Sequence, residues 1–138
     1  MLPKFNHLEK LVSTGAILLL INILNIVELN AEVIVVQNDA AINQLKKQAQ
    51  DENKTLVLKF FSPKCGHCKK IKGYYANLSD NNQYKHVIFA EINGTQTPTL
   101  MNKYNIKAYP TFIVLDPKGQ KETITGAHKA QLETAIAV

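Results

Sequence analysis

The run Thr55-Leu56-Val57-Leu58-Lys59-Phe60-Phe61 constrains the fold of this chain more than any other segment. It is too continuously apolar for a strand with one wet face, so it belongs at the centre of a sheet covered on both sides. Ser62-Pro63-Lys64 then breaks it. A strand of that kind needs neighbours on both edges and a layer of structure above and below.

The rest of the chain supplies those parts. Val33–Gln37 is a short β-branched run and reads as a strand. Asn38 or Asp39 caps a helix running to about Gln50, with Ile42, Leu45 and Ala49 on one apolar face. A second helix is expected from about Cys65 to Leu78, where Cys68, Ile71, Tyr75 and Leu78 recur at spacings of three and four. Val87–Ile92 is the next strand, and Thr99–Tyr104 a short helix with Pro98 in its first turn. Thr111–Leu115 and Glu122–Thr125 are strands joined by the turn Asp116-Pro117-Lys118-Gly119. A helix near Lys129–Ala137 closes the chain. The order β-α-β-α-β-α-β-β-α describes an α/β fold, a central mixed β-sheet flanked by helices on both faces.

Composition agrees with one such domain. The chain has 138 residues, 46% hydrophobic and 20% charged, enough for a single buried core. These figures exclude a disordered tail, a collagen-like repeat and a disulfide-dense mini-protein. The formal charge of +5 comes from sixteen lysines and no arginine. Arginine is the residue that reads guanine edges and grips phosphate with two hydrogen bonds, so no nucleic-acid partner is expected. The lysines read as a solvated, mildly basic surface.

Residues 1–31 differ from the remainder. Lys4 and Lys10 precede the apolar block Gly15–Val27 (GAILLLINILNIV), and Ala31 offers a small residue before a polar restart at Glu32. This is the pattern of a secretory signal peptide cut after Ala31. The block falls short of the roughly 20 apolar residues of a spanning helix, although an uncleaved N-terminal membrane anchor is the second reading. Either way residues 32–138 form the working domain, exported to a compartment where disulfides persist. A bacterial periplasm or cell envelope is preferred to the endoplasmic reticulum lumen, because Ala135-Ile136-Ala137-Val138 is no retention tetrapeptide. Membrane contact is expected only if the N-terminal segment is retained.

The chemistry lies in Cys65-Gly66-His67-Cys68, which contains both cysteines of the chain. They fall where the central strand gives way to a helix. A thiol at a helix N-terminus faces unpaired N–H groups and the positive end of the macrodipole, both of which favour thiolate. Cys65 is therefore the expected nucleophile, and Cys68, one turn further in, the resolving thiol that attacks the mixed disulfide. His67, with Gly66 between the cysteines, can lend a hydrogen bond or positive charge to the thiolate. Two blander readings stand beside this one. The two cysteines with His67 could be part of a zinc site, but a closed site needs four ligands and no ligand-like partner pair occurs elsewhere. A purely structural disulfide would close too small a loop to stabilise much. No metal and no organic cofactor is expected.

Tyr109-Pro110-Thr111 is the second element, with Pro110 directly ahead of an apolar strand. With these residues in place the chain resembles the thioredoxin superfamily from about Val33 onward. The motif Cys65-Gly66-His67-Cys68 resembles the catalytic domains of protein disulfide isomerase more than ordinary thioredoxins, which carry Pro where His67 stands. Phe60-Phe61-Ser62-Pro63, the stretch Tyr104–Phe112 and Gly126 also resemble that family. The resemblance implies the thioredoxin fold, a cis bond before Pro110 beside the thiols, and backbone near Tyr109 and Pro110 that pairs with an extended substrate peptide.

Three positions depart from the family pattern. Lys59 stands where a buried Asp or Glu helps move the resolving thiol's proton. Lys64 replaces a Trp, and Gly73 replaces a helix-kinking Pro. Lys59 is expected either to snorkel outward or to lower the thiol pKa values by its charge, which makes it a candidate tuning residue. The expectation is thus an exported thiol–disulfide oxidoreductase acting on cysteine-containing proteins. It would work as a monomer and be recharged by a further redox partner. A redox-inactive binding or assembly module of the same fold, or a metal- or haem-assembly chaperone holding a soft ion through the thiolates, are the alternatives.

Overall fold

A computed structural model describes residues 32–137 of the chain. The address segment read in residues 1–31 lies outside the described residues. Among those described, no helix is long and apolar enough to cross a membrane.

The strands are β1 (Ile34–Val35), β2 (Thr55–Phe61), β3 (Val87–Asn93), β4 (Thr111–Leu115) and β5 (Lys121–Thr125). They form one sheet in the order β1-β3-β2-β4-β5. β2 therefore lies at the centre, parallel to β3 and antiparallel to β4, as its apolar run requires. The helices are α1 (Asp39–Asp51), α2 (Gly66–Asp80), α3 (Pro98–Lys103) and α4 (Lys129–Ile136).

The period-two alternation of the strands sorts the side chains into two cores. Leu56, Leu58 and Phe60 face one side, where Ile42, Leu45 and Ala49 of α1 and Leu100 of α3 cover them. Val57 faces the other side with Phe89, Phe112 and Val114, under Ile71, Tyr75 and Leu78 of α2 and Leu132 and Ile136 of α4. The helix faces expected from spacing are the faces that are buried.

Element ends follow local chemistry. Asn38 is extended, and its Oδ1 accepts the Ala41 N–H at 2.9 Å, which starts α1. Between β4 and β5, Gly119 takes φ +81°, where a side chain would be strained, and its N–H donates to the Asp116 carbonyl at 2.9 Å. Two features differ from the sequence reading. β1 is two residues rather than five, because Val36 bonds the Glu91 carbonyl once more and the chain then turns into the α1 cap. A short 3-10 turn, Asn82–Tyr84, follows α2, where Asn81 Oδ1 accepts the Gln83 N–H at 2.9 Å.

Candidate active site at the end of the central strand

The turn after β2 delivers Cys65 to the head of α2. Ser62 is buried, its carbonyl accepts the Cys65 N–H at 3.1 Å, and its Oγ accepts the Lys64 N–H at 3.3 Å. Cys65 is consequently the N-cap of α2. Its backbone is extended (φ −77°, ψ 118°) and its carbonyl accepts the Lys69 N–H at 3.1 Å. The sulfur takes the place of the oxygen that a Ser or Asp cap would supply, accepting the Cys68 N–H at 3.2 Å. The Cys65 sulfur is thus partly exposed, with a backbone N–H aimed at it.

Both cysteines are free thiols, and they differ in access. Cys65 is half-buried whereas Cys68 is 5% exposed. Burial, and then the hydrogen bond to Cys65, push the Cys68 thiol up to about 11. Gly66 and His67 are exposed on the first turn, and a Cβ built on Gly66 meets nothing within 4 Å. Among the described residues, this face of the first turn is open.

Tyr109 and Pro110 close the site from another part of the chain. The Tyr109–Pro110 bond is cis, the geometry that the family resemblance implies. The Cys65 thiol donates to the Tyr109 carbonyl at 3.5 Å, so the dithiol and this loop meet across a separation of 44 residues. Pro110 is buried and its carbonyl accepts the Gly126 N–H at 2.7 Å. Thr111 Oγ1 donates to the Ala108 carbonyl at 2.8 Å, which fixes the loop from the other side. The Tyr109 ring lies against Gly94 and Met101, and a Cβ on Gly94 would collide with the Tyr109 hydroxyl. Burial and the nearby Cys68 raise the Tyr109 phenol above its ordinary range.

Lys59 does not snorkel. It is 2% exposed, on the α2 side of β2, and its Nζ lies 2.8 Å from Glu91 Oε2. The parallel register sets Lys59 directly beside Glu91 of β3. The ammonium also lies 4.4 Å from the centre of the Tyr75 ring, whose hydroxyl donates to the Ala90 carbonyl at 2.9 Å. Burial and the Glu91 charge hold that phenol well above its ordinary range. The positive charge of Lys59 does favour the Cys68 thiolate, but burial of the thiol outweighs it, so the net shift is upward. Of the two outcomes expected for Lys59, the structure shows the second, a charge that lowers the Cys68 thiol, while burial sets the net direction.

Glu91, Ser62 and Gly94 were not found from the sequence. Glu91 had a signal: it is the single charge in the strand Val87–Asn93, as Lys59 is in Thr55–Phe61. Two lone opposite charges in buried strands are best matched to each other. The replaced proline position, Gly73, sits on an exposed face of an unbroken α2. Among the described residues, no three His, Cys, Asp or Glu side chains are grouped as metal ligands would be.

Comparison with known proteins points one way. The sequence model for Thioredoxin matches residues 32–138. A thioredoxin H-type of Fagopyrum esculentum is 30% identical over 108 residues, covering 78% of this chain and 91% of that one. A protein disulfide isomerase-like 2-2 of Oryza sativa subsp. japonica is 36% identical over 74 residues, covering 51% of this chain and 19% of that one. Among solved structures, a poplar thioredoxin h matches with a TM-score of 0.69 and 30% identity, over 76% of this chain and 93% of that one. Thioredoxin pre-protein of Schistosoma mansoni matches with a TM-score of 0.66 and 33% identity, over 76% and 95%.

Proposed function

This chain belongs to the thioredoxin family, and from that premise we propose that it is an exported thiol–disulfide oxidoreductase whose Cys65–Cys68 pair exchanges with cysteine-containing proteins. One observation carries the reading: a half-exposed Cys65 sulfur caps α2, receives the Cys68 N–H and touches the carbonyl before a cis proline, with Cys68 sheltered behind it. Cys65 is then the attacking thiol. Its thiolate displaces one sulfur of a partner's disulfide, breaking that S–S bond and forming a mixed disulfide, and the departing thiolate takes up a proton. Cys68 gives up its proton and attacks the Cys65 sulfur. The mixed disulfide breaks, the Cys65–Cys68 bond forms, and the partner leaves with two thiols. Two electrons have passed to the partner, and the reverse sequence passes a disulfide outward.

Gly66 leaves the approach to Cys65 open, His67 supplies a polar group on the first turn, and Tyr109 and Pro110 present backbone to an extended peptide. Export is supported by the charged start, apolar block and small residue of residues 1–31, and the cell envelope is the compartment of this reading. The protein acts as a monomer there and depends on a separate redox partner to restore its dithiol or disulfide. Insulin reduction tests the exchange. Cys65→Ser is expected to abolish turnover and Cys68→Ser to accumulate mixed disulfides with the partner. Full activity in Cys65→Ser would sink the mechanism. A redox titration against glutathione then assigns the direction. A potential near or above ~−180 mV marks a disulfide donor or isomerase, and one near ~−270 mV a reductase.

A further inference from the structure

The charges around the dithiol are sorted by sign. The site lies where β2 and β3 end and where α1, α2 and α4 begin. Two described carboxylates reach this end of the sheet, and each is already bound. Asp39 receives Lys103 Nζ on both oxygens at 2.6 Å, and Glu91 holds Lys59. The remaining acidic residues among those described lie elsewhere, with Glu32 ahead of β1. Asp51, Glu52 and Asp80 are at the far ends of α1 and α2, Asp116 and Glu122 flank the β4–β5 hairpin, and Glu133 accepts from the Tyr74 hydroxyl on the α4 side.

The exposed lysines at the dithiol flank it. Lys64 directly precedes Cys65 in the turn built on Ser62. Lys69 begins the second turn of α2 with its N–H on the Cys65 carbonyl. Lys107 is exposed on the other segment of the site, two residues before the Tyr109 carbonyl that touches the Cys65 thiol. Among the described residues, no carboxylate comes within ion-pair distance of these three. They add to the positive end of α2, which points at the same place. A rim with one sign of charge attracts the opposite sign, speeds its encounter and repels its own.

We propose that this rim selects partners whose reactive cysteine lies in an extended segment bearing Asp or Glu within about three residues on either side. Such a segment, laid beside Tyr109 and Pro110 with its sulfur at Cys65, brings its flanking carboxylates toward Lys64 and Lys69 on one segment of the site and Lys107 on the other. The inference rests on the exchange reading above and names the class of partner that this exchange prefers.

The test uses three synthetic peptides with a central cysteine and Asp, Ser or Lys at the two positions on each side. Each is presented as its disulfide with 5-thio-2-nitrobenzoate. Attack of Cys65 on the peptide sulfur releases the coloured thiolate, and each rate is divided by that of the same peptide with dithiothreitol to remove intrinsic reactivity. At low salt the Asp peptide is expected to react at least about 10-fold faster than the Lys peptide. That ratio should fall toward one in ~1 M salt, where charges are screened beyond roughly 3 Å. Lys64→Gln with Lys107→Gln should narrow it several-fold at low salt. A normalised ratio near one, or one that survives high salt or the double substitution, overturns the proposal and leaves the exchange reading intact. Release no faster than from Cys65→Ser with every peptide would overturn both.

Discussion

The ion pair between Lys59 and Glu91 makes an asymmetric prediction. Glu91→Gln removes the one carboxylate beside an ammonium whose side chain is 3% exposed, at 2.8 Å. What remains for Lys59 is a neutral amide oxygen and the faces of Tyr75 at 4.4 Å and Phe61 at 5.5 Å. A cation–π contact of that kind contributes roughly 0.5–2 kcal/mol, well short of the several kcal/mol that desolvating an ion costs. Breaking a buried pair at one partner typically costs about 3–5 kcal/mol. Glu91 keeps 20% of its side chain open, so some water reaches the gap and the low end applies, about 3 kcal/mol. Lys59→Met leaves instead a carboxylate that already touches solvent, and places a thioether on the Tyr75 ring. Its cost should be about 1 kcal/mol or less. The double variant Lys59→Met/Glu91→Leu removes both charges and should fall within about 1 kcal/mol of the parent. Urea unfolding of the reduced protein measures all three. With a slope near 1.5 kcal/mol/M, Glu91→Gln lowers the midpoint by about 2 M while the double variant recovers most of it. Equal losses in the two single variants, or a double variant as unstable as Glu91→Gln, would refute the reasoning.

Two further perturbations read other parts of the site. The folded Cys68 thiol titrates near 11 against an ordinary 9.0, so between those values the unfolded chain has lost a proton that the native state retains. Stability of the reduced protein should therefore fall as pH climbs from about 9 to about 11, and the fall should be shallower in Cys68→Ala. Parallel pH profiles for the two would contradict the burial argument. Gly94→Ala drives a methyl group into the Tyr109 hydroxyl and Met101, and overpacking of this kind typically costs about 1–3 kcal/mol. Loss of midpoint in urea and a changed Tyr109 environment by NMR are expected together, and a stable variant with an unmoved Tyr109 would be the contrary result.

The sequence carried the elements further than it carried their partners. The spacing of Ile42, Leu45 and Ala49, and of Cys68, Ile71, Tyr75 and Leu78, is a local signal, and each of these residues is buried. The apolar continuity of Thr55–Phe61 identified the central strand, because only a strand covered on both faces can afford it. Edges were less legible. Val33–Gln37 has strand composition throughout, yet an edge strand pairs on one side only, and the cap at Asn38 ends it after two residues. The site divides in the same way. Cys65 and Cys68 are fixed by one turn of helix and could be placed from their spacing. The tie from Cys65 to the Tyr109 carbonyl spans 44 residues, and the one from Lys59 to Glu91 depends on strand register. No local pattern encodes a register between strands so far apart, which is why Lys59 read as a choice between two outcomes.

The unequal surroundings of the two thiols order the steps of the proposed exchange. Cys68 is held protonated first by burial and second by its hydrogen bond to the Cys65 sulfur, whose charge adds to the same effect. Once Cys65 is bonded to a partner's sulfur it carries no negative charge, and both Cys65 contributions fall away. The pull of the Ser62 backbone hydrogen bond and of the Lys59 ammonium remains, and both favour the Cys68 thiolate. The resolving thiol is thus hardest to ionise while Cys65 is free and becomes easier to ionise when a mixed disulfide exists to be resolved. Glu91, at 2.8 Å from the Lys59 ammonium, is the group that holds it in place in a dry site. Lys59 and Glu91 therefore act on Cys68 as one unit, because the ammonium that favours its thiolate depends on the carboxylate beside it.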